Sequence, residues 1–410
     1  MKAGADFSNL KPNSCTKKFF FPVFSDFISE QKVQTIIDSN SKFLKNLNCR
    51  QIAKDDILKV EQLCYFVITG GTERQILDLQ QKRSAQYPEE EVVLLAHAGN
   101  NSLPACLEVL ARLQQDGING KIIYLPEAKY RAESLRQPNI RSFSDNQTLS
   151  GKRIGMIGTP ADWLVASSPT AETVKAALGA EVIGIELDEL KQLFHQIGKE
   201  QVIGMVNDFI EKAAAVREAS LNEIYDNMRI YLAMKTLISK YNLDAVTVRC
   251  FDLVLDLKTT GCFALSRMND EGIIAGCEGD LVSTLGMMWA KEKSGKLPWM
   301  ANPAQLDLKE NSLTLAHCTV PCNLVSNYKI RSHFESGIGV GIQGDFPRQE
   351  VWMFRLGGRN LDKIWQAKGK IIQTGNDENL CRTQIKVKLN DEYSVQDLLK
   401  EPLGNHLVVT

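Results

Sequence analysis

Two carboxylates, Glu278 and Asp280, lie in a glycine- and cysteine-rich stretch between Gly276 and Leu281, just before a segment at 282–291 with a helix-like pattern. The small residues around them allow other groups to approach closely. An amide and two imidazoles follow downstream, at Asn302, His317 and His406. Carboxylate, amide oxygen and imidazole are the ligand types of a divalent metal such as Mn²⁺ in a mixed oxygen and nitrogen site. This part of the chain therefore indicates a divalent-metal site.

Four further side chains are predicted to bind a substrate. His97 and Asn101 follow a predicted parallel strand, and open α/β sheets bind ligands at the carboxyl ends of such strands. His317 and His333 each lie at a predicted strand end. The alternative for these two is a structural histidine whose ring is satisfied by local hydrogen bonds.

The elements that must position these groups change in character along the chain. Apolar strand patterns at 64–69, 91–96 and 120–125 alternate with helical patterns, which is typical of parallel α/β layering. A polar stretch at 131–151 predicts a linker, and a second unit of the same kind begins at 152. The further elements predicted for that unit are a helix near 169–178, a strand at 181–185 and helices at 200–215 and 218–240.

From 245 onward the pattern favours short strands, with period-two alternation at 351–356 and 384–389. We therefore predict an α/β fold with two Rossmann-like, doubly wound parallel-sheet units, followed by an α+β C-terminal domain rich in antiparallel strands. The predicted boundaries are 1–150, 151–244 and 245–410. The metal site is expected in the last of these.

Composition excludes several classes of protein. The 410 residues carry a net charge of −1, and no stripe of Lys and Arg is interleaved with aromatic residues, so we expect no nucleic-acid partner. No apolar run approaches the roughly 18 residues that a membrane span needs, so we expect no membrane partner. Pro22 interrupts the apolar patch after Lys18 before a signal core forms. Ten cysteines without a signal peptide favour reduced thiols and a cytoplasmic location.

Two other motifs suggest sites that their context disfavours. Cys318 and Cys322, beside His317, could form half of a zinc site, but no second cysteine pair with the right spacing follows. The glycines at 339, 341 and 344 match a dinucleotide-binding pattern, yet a strand rather than a helix is predicted after them. An NAD-dependent oxidoreductase is therefore disfavoured.

In this order, the motifs resemble those of the L-fucose isomerase and L-arabinose isomerase superfamily, whose members are metal-dependent and interconvert aldoses and ketoses. The resemblance covers most of the chain, including 70–73, 97–105 and 153–158. It is greatest to the shorter fucose isomerase-like members. The resemblance implies a small-molecule sugar as substrate and a homotrimer or homohexamer in which one subunit closes the site of the next.

The resemblance also implies roles for individual residues. Glu278 and His406 match family metal ligands, and Asn302 stands where the family has an aspartate. The implied metal set is Glu278, Asn302 and His406, with Mn²⁺ as the expected ion. Glu278 and Asp280 are the expected catalytic carboxylates.

Asn302 matters because an amide can coordinate a metal but cannot accept a proton at neutral pH. A second acid/base is then missing unless Asp280, Asp307 or Glu310 replaces it. The sequence ends four residues after His406, where relatives continue, so a truncated chain or an altered activity remains open. We predict a sugar isomerase; the alternative is a catalytically impaired or non-catalytic sugar-binding relative.

Overall fold

A computed structural model of the protein describes residues 18–127, 138–145 and 147–410. Part of the predicted linker, at 131–137 and 146, lies outside the described residues. The predicted α/β fold class is confirmed: two parallel sheets precede an antiparallel sheet. Within the described ranges, each helix is too short or too polar to span a membrane.

The first sheet is parallel, with strand order β2-β1-β3-β4-β5. Its strands are β1 (Lys18–Val23), β2 (Cys49–Gln51), β3 (Leu63–Val67), β4 (Val92–Ala96) and β5 (Gly120–Tyr124). Its helices are α1 (Glu30–Ser39), α2 (Ser41–Asn46), α3 (Glu73–Ser84) and α4 (Ser102–Gln115). β3 is buried along its whole length, as expected for a strand covered by helices on both faces.

The second sheet is also parallel, with order β11-β10-β7-β8. Its strands are β7 (Arg153–Ile157), β8 (Glu181–Ile185), β10 (Ala245–Val248) and β11 (Ile274–Gly276). The helices around it are α5 (Ala171–Leu178), α6 (Leu187–Gln196), α7 (Ile203–Lys212), α8 (Leu221–Tyr241), α9 (Cys250–Leu257), α10 (Cys262–Asp270) and α11 (Leu281–Ser294). The predicted boundary at 245 falls within this sheet, because two of its four strands follow residue 244.

The third sheet is antiparallel, with order β16-β19-β12-β13-β18-β17-β6. Its strands are β6 (Ile140–Ser142), β12 (Trp299–Asp307), β13 (Ser312–His317), β16 (Glu350–Gly357), β17 (Lys363–Thr374), β18 (Thr383–Leu389) and β19 (Leu407–Val409). β16 also pairs with β17, which closes six of these strands into a barrel. The short helix α12 (Asp397–Lys400) precedes β19.

A small sheet of β9 (Ala215–Val216), β14 (Asn327–Arg331) and β15 (Gly341–Asp345) completes the fold. Gly341 and Gly344 lie in β15, which Gly339 precedes, and the next element is the strand β16 rather than the helix of a dinucleotide-binding turn. One hydrophobic cluster joins residues of the two parallel sheets to residues of the barrel. The loops at the carboxyl ends of β3, β4 and β11 are thereby held next to the barrel.

Candidate active site

A strained turn between β11 and α11 presents Glu278. Its φ is +62° and that of Gly279 is +71°, both in the left-handed region. For a residue with a side chain this costs on the order of 1 kcal/mol and persists only where surrounding contacts enforce it. Here Gly279 N donates to Val248 O at 2.9 Å, and Ala161 N donates to Glu278 O at 2.9 Å. The turn is thus fixed from two sides.

The carboxylate of Glu278 is held in one orientation. Trp163 Nε1 donates to its Oε2 at 2.6 Å, and its Oε1 lies 3.6 Å from His406 Nε2. Burial acts to raise the pKa of Glu278, but the neighbouring His406 outweighs it and holds the pKa below its usual range. Glu278 is therefore an ionised carboxylate. Burial opposes a charge on His406, but Glu278 and Asp280 raise its pKa to about 9, so the ring is protonated in the metal-free protein and a metal would displace the proton on Nε2.

Asp280 acts on the other side of the same imidazole. His406 Nδ1 lies 2.9 Å from Asp280 Oδ2, and both side chains are completely buried. Burial opposes ionisation of Asp280, but the Arg355 guanidinium beside it keeps its pKa below the usual range. An ionised carboxylate can only accept, so Nδ1 carries the proton. This leaves His406 Nε2, which has no hydrogen-bond partner among the described residues, turned toward Glu278.

The remaining oxygens of Asp280 are also occupied. Oδ1 accepts from Ser283 N at 2.7 Å, which caps α11, and Oδ2 accepts from Ser283 Oγ at 2.6 Å and from Arg355 Nη1 at 3.2 Å. These contacts suit a residue that orients His406 better than one that contacts a sugar.

His317 and Asn302 complete the set of polar side chains near Glu278 and His406. His317 Nδ1 is 2.8 Å from Thr319 Oγ1, and its ring lies 5.4 Å from that of His406. Burial lowers the pKa of His317 to about 3, so the ring is neutral, which is the form that binds metals. Asn302 Oδ1 is buried with no hydrogen-bond partner in the described part of the chain.

These groups fit a divalent metal. Glu278, His317 and Cys277 offer ligand atoms that all lie within 4.8 Å of one another. The contact with Cys250 and burial raise the pKa of the Cys277 thiol, so it stays protonated and is a poor ligand. The unpartnered His406 Nε2 and Asn302 Oδ1 are the donors that a metal would satisfy. The donor set is then one carboxylate, two imidazoles and one amide oxygen.

A cavity of about 440 Å³ opens over this cluster, which is in the range of small-molecule sites. Three carboxylates line it, from Glu73, Glu278 and Glu335. The other polar lining side chains are Ser25, Ser29, Lys32, Thr69, Asn100, Asn101, Trp163, Asn302 and Asn405. The site is therefore shared between loops of the first sheet, the β11 turn and the barrel.

A buried network attaches the segment that carries His406. Glu108 on α4 accepts from Asn405 N at 3.0 Å, from Ser167 Oγ at 2.8 Å and from Ala166 N at 2.7 Å. Arg355 contacts both Ser167 and Leu403 O. The first unit and the barrel thus fix the position of His406 together.

The predicted substrate-binding residues have different surroundings. Asn101 lines the cavity and donates through Nδ2 to Glu335 Oε1 at 2.7 Å. His97 is buried, with Nε2 2.8 Å from Ile68 O. His333 Nδ1 lies 3.0 Å from Ser336 Oγ, and its ring packs against Phe251. The rings of His97 and His333 are thus hydrogen-bonded within the protein, and neither belongs to the cavity lining, unlike Asn101.

Sequence reasoning did not identify Trp163, Glu73 or Glu335 as site residues. Glu73 and Glu335 are single carboxylates beside predicted elements, and Trp163 meets Glu278 only through the tertiary fold. Asp307 and Glu310, two of the alternatives for a second acid/base, lie elsewhere. Asp307 is the last residue of β12, and its side chain accepts a hydrogen bond from Glu310 N at 2.9 Å. Neither belongs to the cavity lining.

Comparisons with known proteins show which proteins this chain resembles. Residues 169–291 match the model of the L-arabinose isomerase central domain. The chain is 25% identical over 242 residues to a sulfoquinovose isomerase of Priestia megaterium, covering 56% of this chain and 53% of that protein. It is 22% identical over 261 residues to one of Alkalicoccus urumqiensis, covering 62% and 58%.

A third relative, a sulfoquinovose isomerase of Clostridium sp., is 28% identical over 164 residues, which is 35% of this chain and 37% of that protein. The chain thus spans about half the length of the curated relatives it matches. These matches show that the chain is similar to sulfoquinovose isomerases and, over residues 169–291, to the central domain of L-arabinose isomerase.

Proposed function

We propose that this protein is a metal-dependent aldose–ketose isomerase. The observation that carries the proposal is the proximity of His317 and His406 to Glu278, which lines the cavity together with Asn302. Two buried donor atoms, His406 Nε2 and Asn302 Oδ1, have no hydrogen-bond partner among the described residues. Such a donor set next to a sugar-sized cavity suits metal-assisted proton transfer. The likeness to the L-arabinose isomerase central domain and to sulfoquinovose isomerases supports the same reaction class.

We assign the metal to Glu278, Asn302, His317 and His406, and expect Mn²⁺ because the set mixes oxygen and nitrogen donors. When bound, a divalent ion polarises the carbonyl and hydroxyl oxygens of the open-chain sugar. The protein's part is to hold these donors: Asp280 fixes the His406 ring through Nδ1, and Thr319 is hydrogen-bonded to His317 Nδ1.

The reaction moves one proton between C1 and C2 and another between O1 and O2, through an ene-diol. Glu278 is ionised, faces the cavity and is oriented by Trp163. We assign to Glu278 the transfer of the carbon-bound proton between C2 and C1. Asp280, which the sequence suggested as a second catalytic carboxylate, we assign to orienting His406, since its oxygens are already hydrogen-bonded.

The relatives are named for sulfoquinovose, and we propose this sugar as the first substrate to test. Lys32 is the one cation among the described residues that line the cavity, and it could face an anionic group. The experiment is a screen of aldoses and ketoses, with sulfoquinovose included, for proton exchange at C1 and C2 in D₂O with added Mn²⁺. Exchange with at least one sugar supports the proposal, and no exchange with any sugar contradicts it.

A second candidate is a non-catalytic sugar-binding protein of the same superfamily. Asn302 favours it, because an amide in the cavity cannot carry a proton. Calorimetry that shows sugar binding, together with the absence of exchange for the same sugar, would favour this candidate over the isomerase.

We also propose a cytoplasmic homotrimer or homohexamer. The nine cysteines of the described residues are all free thiols, which supports a reducing location. Light scattering tests the assembly: only the 45.8 kDa mass of one chain would contradict it.

A further inference from the structure

Glu335 is a carboxylate of the cavity with no assigned role. It lies in the loop between β14 and β15, two residues after His333, and reaches the loops that follow β3 and β4. A Cβ built at Gly70 would lie 3.9 Å from Glu335 Oε1, and Asn101 Nδ2 donates to the same oxygen at 2.7 Å. The carboxyl group of Glu335 is therefore fixed on the cavity wall.

The cavity needs a second acid/base. Asn302 cannot transfer a proton, and Asp280 is fully buried and hydrogen-bonded through both oxygens. Asp307 and Glu310 lie at the far end of β12. Glu73 and Glu335 remain, and both line the same cavity as Glu278. The Glu73 side chain is almost completely buried, whereas Glu335 is positioned on the cavity wall by Asn101.

On the basis of the proposed isomerase function, we propose that Glu335 is the second acid/base, which transfers the oxygen-bound proton of the sugar. Oε1 is held by Asn101, so Oε2 is the oxygen available to carry that proton.

The step balances without an external oxidant or reductant. Glu278 takes the C2 proton, the C2–H electron pair becomes the C1=C2 bond, and the neutral Glu335 carboxyl gives its proton to O1. In the second half Glu335 regains a proton from O2, the C2=O bond forms and C1 receives the proton from Glu278. The sugar ends with the same atoms, and both carboxyl groups return to their starting states.

The environment of Glu335 suits this role. Burial, followed by the negative charge of Glu278, raises its pKa to about 7. A carboxyl group that titrates near neutral pH can both give and take a proton during turnover. The pKa of Glu73, the other candidate in the lining, is raised well above its usual value by burial, so it holds its proton more tightly.

The test compares three isosteric variants for isomerisation and for Mn²⁺ affinity. Glu335→Gln should lower the isomerisation rate ~10²- to 10⁴-fold, because a positioned acid/base typically contributes that much. Gln keeps the oxygen that accepts from Asn101, so the fold and the Mn²⁺ dissociation constant, measured by calorimetry, should stay near those of the wild type. Glu310→Gln, on the exposed turn after β12, is the matched control and should leave both unchanged.

Three results would overturn the assignment. Glu335→Gln could isomerise within about threefold of the wild-type rate, which would leave no role for a proton-transfer group. It could lose Mn²⁺ affinity together with activity, which would place Glu335 in the metal site. Glu73→Gln could instead show the large loss, which would transfer the role to Glu73. A wild-type protein that converts no sugar would overturn the isomerase proposal itself, and the Glu335 assignment with it.

Discussion

His406 is held between two carboxylates: its Nδ1 lies 2.9 Å from Asp280 Oδ2, and its Nε2 lies 3.6 Å from Glu278 Oε1. The first contact fixes the ring, and the second turns Nε2 toward the carboxylate of Glu278, which lines the cavity. Asp280 and Glu278 are separated by one residue, so a single turn supplies both the group that contacts His406 Nδ1 and the proposed metal ligand.

Asp280→Asn should therefore weaken metal binding although Asp280 is not assigned as a ligand. Partners that orient a metal-binding histidine are typically worth ~10- to 100-fold in affinity, and an amide no longer enforces the Nδ1–H tautomer. Calorimetry with Mn²⁺ on the folded variant measures the effect. Asp307→Asn, at the end of β12, is the control; an unchanged affinity in Asp280→Asn would contradict the orienting role.

Asn302→Asp should bind Mn²⁺ more tightly than the wild type, because a carboxylate is a stronger ligand for this ion than an amide oxygen. The new side chain also restores a proton-carrying group to the cavity. It should therefore recover part of the activity lost in Glu335→Gln when the two changes are combined. Weaker metal binding in Asn302→Asp would show that Oδ1 does not face the metal.

The raised pKa of Glu335 predicts a pH dependence of stability in the metal-free protein. A carboxyl group whose folded pKa is about 7 rather than 4.5 binds its proton more tightly in the folded state. Its stabilising contribution is thus complete below the unfolded value and is lost as the pH rises toward 7.

Glu335→Gln has no titrating proton at this position. Its unfolding free energy should therefore rise relative to that of the wild type as the pH increases from about 4.5 to 7. Urea unfolding of both proteins at several pH values measures it. Besides burial, the negative charges of Glu278 and Cys318 raise the pKa of Glu335, and the hydrogen bond from Asn101 lowers it. Glu73 and Cys381 also interact electrostatically with Glu335. A constant difference between the two proteins would mean that Glu335 titrates as in the unfolded chain.

Gly70→Ala should disturb the cavity through its wall. A Cβ at this position would lie 2.9 Å from Asn101 Cβ, so the loop after β4 must shift and the Asn101–Glu335 hydrogen bond with it. We expect a loss of about 1 to 3 kcal/mol in unfolding free energy and a higher KM. Gly184→Ala, where a Cβ meets nothing within 4 Å, is the control. Equal effects of the two substitutions would contradict the close approach.

The sequence predicted much of the fold and part of the site. Apolar runs and small residues predicted the strands β3 to β5 and the start of α11. The sequence did not predict that β10 and β11 belong to the second sheet, because the pattern of a short apolar strand does not indicate which strand it pairs with. The Glu278–His406 pairing was expected through family resemblance, and the structure brings the two side chains together.

The contacts of Trp163, Glu335 and Arg355 could not be predicted in the same way. Each meets the site only after distant segments pack together, and a single polar side chain has no periodicity that indicates its partner. Asp280, Asp307 and Glu310, the alternatives to an aspartate at 302, lie within about 22 residues of that position in the sequence. Glu335 reaches the cavity from a loop further along the chain.

The most direct test of the isomerase account is deuterium incorporation at C1 and C2 of a sugar, measured side by side for the wild type and Glu278→Gln with saturating Mn²⁺. The account predicts incorporation by the wild type and a loss of ~10²-fold or more in Glu278→Gln, since the variant keeps the shape but not the proton acceptor. Incorporation at the wild-type rate in Glu278→Gln would show that the chemistry does not depend on this carboxylate.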